Sequence, residues 1–564
     1  MMSRLLNLLN RDVTTMNQAA LVLGFFSLLS QLFGLLRDRL LATIVGPSAT
    51  LDTYYAAFRI PDLIYNSIAV LFSVTVIIPF ITHYFHKEEG EHTSLKKFFD
   101  SVYTVYLVGM IVVCAIAFVA MPYLTHLSAP GFDAVQRADL VLFSRIMLLS
   151  PLLMGLSSLL GAFAQVQKKF FSFAIAPVFY NIGILFGILI LLPWMGMLGV
   201  VLGVVVGAVL YLVIQLPTLS ALGKIPKLTR AVDWSVIKQL VTLSLPRTLA
   251  SSLSNLTFLM MSAAASLLVA GSISVFQFSY NIQTTPLMII GISYAVAAFP
   301  TMNRLFAEKQ TKEFVDLVHR ATRNIFFLSI PAALLIIVLR AQIVRVLLGA
   351  GEFSWNDTRL VAAALALFAV SITAQCMILL LVRGFYAMGN TKTPLKINTL
   401  GVVITAVAAV GLLSLHRYSP MFSDFLDSLL RIEGTAGASV VLLSAAFSIG
   451  QIATACMLWR RFHARIEGTA VETRALGRAL FHTLGAGLIA ATATYGMLLW
   501  VSGGVDQGTF GGILLQGLIA GLVGIAVYGI ILKALGNQDI ALFIQTFKTK
   551  FWKTKPLTPE QPDL

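Results

Sequence analysis

The feature that most constrains this chain is a recurrence. Runs of roughly 20 apolar residues, separated by short polar connections, follow one another along almost its whole length. A helix rises 1.5 Å per residue, so each run matches a hydrocarbon core of ~30 Å. With 58% of 564 residues hydrophobic and only 12% charged, little length is left for a soluble domain. In lipid every backbone N–H and C=O must be satisfied within the protein, which leaves helices or a closed barrel; barrel strands would alternate over about ten residues, and these runs do not. The expectation is an all-α polytopic membrane protein.

About fourteen spans are expected, near 18–45, 54–83, 99–122, 139–164, 171–193, 196–218, 240–267, 272–300, 324–347, 358–383, 394–414, 436–459, 479–501 and 511–535. Basic residues test the count, because they should gather on alternate connections. One set carries Lys87, Lys96 and Lys97, then Lys168 and Lys169, then Lys224 to Lys238, Arg304 to Arg323, Lys392 and Lys396, and Arg460 to Arg478; the other carries little beyond Arg137, Arg345, Arg359, Arg417 and Arg431. Both termini are therefore expected in the cytoplasm. The net charge of +15 reflects topology and gives no reason to expect nucleic acid as a partner. Residues 1–17, with no small-residue cleavage site, are expected to form an amphipathic cytoplasmic lead-in. The basic, aromatic-containing tail 538–564 is expected to lie on the anionic inner leaflet. Cys114, Cys376 and Cys456 stand alone in apolar runs, with no ligand spacing for a metal, and read as small core residues.

Shifting the first two spans by 225 positions brings Gly46 onto Gly271, Tyr55 onto Tyr280 and Pro61 onto Pro286. AFAQVQKKF after the fourth span likewise resembles GFYAMGNTK after the tenth. Two six-helix lobes are expected, 18–220 and 240–460, with linkers at 221–239 and 461–478 and an extra helix pair at 479–537. Each lobe crosses the membrane an even number of times, so the two share one orientation and leave a central cavity. The first span, however, contains GLLRDRLLATIVG, with Arg37, Asp38 and Arg39 adjacent. The shift places these on Ser262, Ala263 and Ala264, so the fold does not itself demand charge there. An ionisable group at bilayer depth costs about 2.5–3.5 kcal/mol and usually faces a wet cavity or a partner.

Asp52, Arg59 and Asp62 follow, in and just before the second span. The charges either line a cavity or pair with one another to lock the hairpin, or Arg37 and Arg39 snorkel toward the outer interface. Arg39 lies about 200° around the helix from Arg37, so both cannot point into one cavity without distortion. Arg59 and Asp62, three residues apart, either pair or leave Arg59 for a ligand. Guanidinium forks fit phosphates and stay ionised, so an arginine-lined cavity suits an anionic headgroup, above all a diphosphate.

SQLFGLLRDRLLATIVGPSATLDTYYAAFRIPDLI, with APGF at Ala129–Phe132, FAIAPVFYNI containing Pro177 and Asn181, QLPTL at Gln215–Leu219 and GFYAMGNTKTPLKI at Gly384–Ile397, resembles the MurJ (MviN) family. These are lipid II flippases of bacterial peptidoglycan synthesis within the multidrug/oligosaccharidyl-lipid/polysaccharide (MOP) exporter superfamily. The resemblance implies a fourteen-helix inner-membrane protein whose lobes alternate between inward-open and outward-open forms. It also implies a cationic cavity for the undecaprenyl-diphosphate-linked glycan and a groove on the last two helices for the lipid tail. Arg37 and Asp38 match the family's Arg-Asp pair, and Asp52 its Asp before the second helix. Departures are Tyr65 and Asn66 in place of a basic pair, Asn281 where the family usually has Arg, Gln31 at an earlier basic position, and apolar IAVLFSV in place of a small-residue stretch with Glu. Arg383, at the inner end of the tenth helix, either compensates or snorkels to the surface.

The expected function is therefore flipping of lipid II without hydrolysis. Arg37 would grip the diphosphate, with Arg59 as a further contact, while Asp38 and Asp52 would orient it or exchange partners between states. Arg39, Asp62, Asn281 and Arg383 are further candidates. No catalytic, nucleotide or metal motif is present, so no cofactor is expected and energy would come from an ion gradient or the membrane potential. Membrane lipids and cell-wall synthesis proteins are the other expected partners. Two alternatives remain: export of another lipid-linked glycan or small amphiphile, and a non-transporting cell-wall scaffold.

Overall fold

The computed structural model describes residues 16–68, 92–166, 169, 171–221, 226–465 and 470–537. Most of the lead-in 1–17, all of the tail 538–564 and parts of both linkers lie outside them. In chain order the helices are α1 (Met16–Ile44), α2 (Ala49–Ala57), α3 (Arg59–Ile68), α4 (His92–Ser128), α5 (Ala134–Met147), α6 (Leu149–Val166) and α7 (Phe171–Phe186). A π-helical turn, Gly187–Leu191, leads to α8 (Leu192–Met195), followed by α9 (Met197–Val213), α10 (Leu216–Ala221), α11 (Trp234–Ser266) and α12 (Ser272–Pro286). After a second π-helical turn, Leu287–Ile292, come α13 (Ser293–Ala307), α14 (Thr311–Leu348), α15 (Trp355–Ala369) and α16 (Ile372–Ala387). The remainder are α17 (Lys392–Tyr418), α18 (Pro420–Leu430), α19 (Val441–His463), α20 (Ala470–Ser502) and α21 (Phe510–Ala534).

No strand occurs among the described residues. Ten helices there are long and apolar enough to cross a membrane, or eleven if the bent pair α15 and α16 is one span. The other three expected positions, first, second and seventh, hold α1, α2 with α3, and α11. The second span departs from expectation: its helix starts at Ala49 and breaks at Phe58, and residues 69–83 lie outside the described set. The cysteine reading also needs correction. Cys376 is buried and Cys114 half-buried, but Cys456 is exposed. An apolar run looks the same whether a residue faces protein or lipid.

The chain divides into two compact units. The first comprises Met1–Thr285, Leu347–Phe368 and Gly389–Met457. Without a hydrophobic drive between helices in lipid, its packing relies on small residues and interhelical hydrogen bonds. Gly183 and Gly187 of α7 and the adjoining turn meet Gly203 and Gly207 of α9, and a Cβ on Gly203 would stand 2.6 Å from the Gly187 Cα. Asn181 Nδ2 donates to Ser30 O (3.3 Å) and Ser30 Oγ (3.2 Å), tying α7 to α1. Asn66 Nδ2 donates to Asn255 Oδ1, and Ser67 and Ser252 share a hydrogen bond, tying α3 to α11. Gly46 and Gly271, equivalent under the 225-residue shift, both have left-handed backbone (φ 65° and 92°) and precede α2 and α12. Only glycine adopts that turn without strain. Tyr280 packs with Phe258, Phe368 and Phe447 in an aromatic cluster.

The second unit comprises Pro286–Val346, Ala369–Met388 and Leu458–Leu564. Its described core stacks Phe314 on Phe462, which meets Phe385 edge-on. His319 and His463 share an Nε2–Nε2 hydrogen bond of 3.0 Å. Tyr528 donates to the Phe327 carbonyl at 2.8 Å, joining α21 to α14.

The glycine seam yields a direct test. Gly203→Leu should destabilise the detergent-solubilised protein by about 1–3 kcal/mol, because the side chain collides with backbone that cannot yield cheaply. Gly411→Leu, at a position with open space around it, should leave the thermal midpoint unchanged.

Candidate substrate-binding site

Within the first unit, seven helices surround a cavity of about 340 Å³. Its wall takes Arg37 from α1, Tyr54 and Tyr55 from α2, Arg59, Asp62, Tyr65 and Asn66 from α3, and Met147 from α5. Ser150, Pro151 and Met154 of α6, Tyr180 of α7, and Gln277 and Asn281 of α12 also line it, with Phe58 and Pro61.

Arg37 curls back onto its neighbour, Nε and Nη2 both donating to Asp38 Oδ1 at 2.9 and 2.8 Å. Asp38 Oδ2 accepts from Asn281 Nδ2 at 2.8 Å. Asn281 Oδ1 in turn accepts from Gln277 Nε2 at 2.7 Å, and Gln277 Oε1 accepts from Arg59 Nη2 at 2.8 Å. One hydrogen-bonded chain thus joins the two guanidiniums through a carboxylate and two amides. Asp38 is 3% exposed and accepts hydrogen bonds at both oxygens. Arg59 also lies 5.6 Å from the Phe258 ring centroid, a cation–π approach. Tyr55 Oη, Arg59 Nε and Ser150 Oγ, all on residues of the wall, are buried without a hydrogen-bond partner among the described residues. Buried polar atoms are normally satisfied, so these three are exceptions on residues of the wall.

The structure brings Arg37, Arg59, Asp62 and Asn281 together on the wall, with Asp38 directly behind them. It does not bring Asp52 there. Asp52 Oδ2 accepts from Gly271 N (2.7 Å), and Oδ1 accepts from Ser274 N (2.7 Å) and Ser274 Oγ (2.6 Å). With 2% exposure, Asp52 caps the start of α12 and satisfies N–H groups that no intrahelical carbonyl reaches. Arg39 does not line the cavity, consistent with its angular offset from Arg37, and neither does Arg383, half-buried on α16 in the second unit. Arg59 turns to Gln277, and the i,i+3 ion pair with Asp62 does not form within 4 Å.

Tyr65 and Asn66, at the positions of the missing basic pair, are committed to protein: Tyr65 to Ser158 (3.0 Å) and Asn66 to the Asp62 carbonyl (2.9 Å). Gln31 Nε2 donates to Thr285 Oγ1 at 3.5 Å. Sequence reading missed Gln277, the link that holds Arg59. Its signal was available, since Gln277 lies four residues before Asn281 on one helix face. Tyr180, Ser150 and Met154 carried no signal, being uncharged residues in apolar runs.

The family model for lipid II flippase MurJ matches residues 41–513. The chain belongs to the MurJ family. A probable lipid II flippase MurJ of Rhizobium tropici is 26% identical over 543 residues, covering 94% of this chain and 96% of that protein. The lipid II flippase MurJ of Burkholderia cenocepacia is 24% identical, covering 86% and 97%. A solved lipid II flippase MurJ in an inward closed conformation matches with a TM-score of 0.72 at 18% identity, covering 92% of this chain and all of that one. An inward-facing MATE family transporter of the MOP superfamily matches at 0.60, with 14% identity and coverage of 80% and 96%. The MurJ and MATE structures share the fold of this multi-pass membrane protein.

The reassignment of Asp52 makes a prediction. Asp52→Ala leaves Gly271 N, Ser274 N and Ser274 Oγ, buried at the start of α12, without their acceptor and should cost about 3 kcal/mol in thermal unfolding. The protein that remains folded should bind cavity ligands with unchanged affinity.

Proposed function

We propose that this MurJ-family protein carries lipid II, the undecaprenyl-diphosphate-linked peptidoglycan precursor, from the inner to the outer leaflet of the bacterial cytoplasmic membrane. The observation that carries the reading is the chain from Arg37 through Asp38, Asn281 and Gln277 to Arg59, which sets two guanidiniums on one cavity wall. Both present N–H groups in the planar geometry that phosphate oxygens accept. The family's relatives bear the lipid II flippase name, and a diphosphate is the common chemical element of such cargo.

The cavity volume lies at the low end of the about 300–1,000 Å³ that drug-sized ligands occupy. It accommodates a diphosphate, and loading a glycan with its peptide requires it to widen. Alternating access by the lobes 18–220 and 240–460 supplies that widening, and residues of both expected lobes stand on the wall. The protein acts without hydrolysis or cofactor, driven by an ion gradient or the membrane potential, with both termini in the cytoplasm. Membrane lipids and cell-wall synthesis proteins are its further partners.

Arg37→Ala and Arg59→Gln should each fail to rescue a flippase-depleted bacterium while accumulating normally in the membrane. Undiminished rescue by either would remove that residue from the site. In native mass spectrometry the intact protein should retain lipid II in preference to undecaprenyl phosphate. Arg37→Ala should weaken lipid II binding about tenfold or more, the worth of one charge-assisted hydrogen bond.

A further inference from the structure

The charges of this site do not favour a dianion as they stand. Arg37, Asp38, Arg59 and Asp62 formally cancel when all are ionised. A diphosphate esterified at both ends carries two negative charges across the physiological pH range, so its entry into a neutral, low-dielectric cavity needs a compensating positive charge. No lysine or histidine is among the described residues on the wall.

Both oxygens of Asp38 are already engaged, accepting hydrogen bonds from Arg37 and Asn281. Asp52 is likewise saturated by Gly271 and Ser274 and lies off the wall. Asp62 is different. Its carboxylate faces the cavity and makes no hydrogen bond or ion pair among the described residues. Its natural partner, Arg59, is held by Gln277.

Among the described residues, the charged and titratable groups within electrostatic reach of Asp62 are Arg59 and Tyr65 of its own helix α3, Tyr54 of α2 and Tyr180 of α7. Tyr54 and Tyr180 also lie within electrostatic reach of Arg37. Asp62 and both guanidiniums therefore border the same small volume. A diphosphate gripped by Arg37 and Arg59 would stand beside the Asp62 carboxylate.

We propose that Asp62 is a proton-binding site coupled to the diphosphate, so that binding of the lipid-linked cargo is accompanied by uptake of one proton from solvent onto the Asp62 carboxylate. The inference rests on the reading of the cavity as a diphosphate site. Protonation removes a negative charge next to the ligand and creates an O–H that donates to a phosphate oxygen. By reciprocity of linkage, bound diphosphate holds the proton, and loss of the proton weakens the hold on the diphosphate.

The test is lipid II binding to the full-length protein in nanodiscs, followed from about pH 6 to about pH 8.5. In the wild type, affinity should fall as pH rises above the pKa of Asp62 in the free protein, by up to about tenfold per pH unit. Asp62→Asn, nearly isosteric and permanently neutral, should bind at the upper pH as tightly as the wild type at the lower and vary less than about twofold between them. Asp62→Glu should retain the slope. Calorimetry in buffers of different ionisation enthalpy should register uptake of up to one proton per lipid II in the wild type and none in Asp62→Asn. Wild-type affinity that does not change with pH, or a slope and proton uptake that persist in Asp62→Asn, would overturn the proposal while leaving the diphosphate site standing. Absence of lipid II binding by the wild type at every pH would instead overturn the reading of the cavity, and the proposal with it.

Discussion

The site depends on how a charge can be kept at bilayer depth. An isolated arginine there is expensive, and the protein answers with a carboxylate immediately next in sequence, so that Arg37 and Asp38 form a neutral pair with an N–O distance of 2.8 Å. The second oxygen of that carboxylate is then free to organise a neighbour. Through Asn281 and Gln277 it reaches Arg59 on a third element, so the orientation of the second cation is set by the first pair. In a network of this kind each link orients the next, and removing one leaves its neighbours without a partner.

The two aspartates on α1 and α2 illustrate how environment assigns different work to one side chain. Asp38 and Asp52 are both buried and both accept three hydrogen bonds. The donors of Asp38 are an arginine and an amide on the cavity wall, which makes it part of the site. The donors of Asp52 are backbone N–H groups and a serine at the start of α12, which makes it a structural cap. Asp52 bears on the site only through the stability of the fold, by capping the helix that carries Gln277 and Asn281.

The internal repeat has a similar division. Gly46 and Gly271 occupy the same left-handed turn because the chain must reverse between helices at both places. Tyr55 and Tyr280, equally equivalent, diverge. Tyr55 lines the cavity, its hydroxyl without a hydrogen-bond partner among the described residues, whereas Tyr280 lies in an aromatic cluster. Backbone geometry has been kept between the repeats and side-chain chemistry has not. The seam of glycines between α7 and α9 belongs to the same logic: it contributes no chemistry, yet the close approach it permits seats Tyr180 on the wall.

By itself the sequence determined the helical membrane fold, since apolar runs of span length leave the backbone no other way to be satisfied, and it determined that the charges of the first hairpin were exceptional. Arg37, Asp38, Arg59, Asp62 and Asn281 could be named as candidates from charge at the wrong depth and from family resemblance. Only the tertiary structure decided which charge meets which. Adjacent residues on a helix point about 100° apart, and whether a long side chain curls to its neighbour or reaches across depends on the helix packed against it. That is why Asp52 proved a cap, why Arg59 chose Gln277 over Asp62, and why the exposed Cys456 could not be told from a buried one. Contacts between helices hundreds of residues apart are set by packing, which hydrophobic periodicity does not encode.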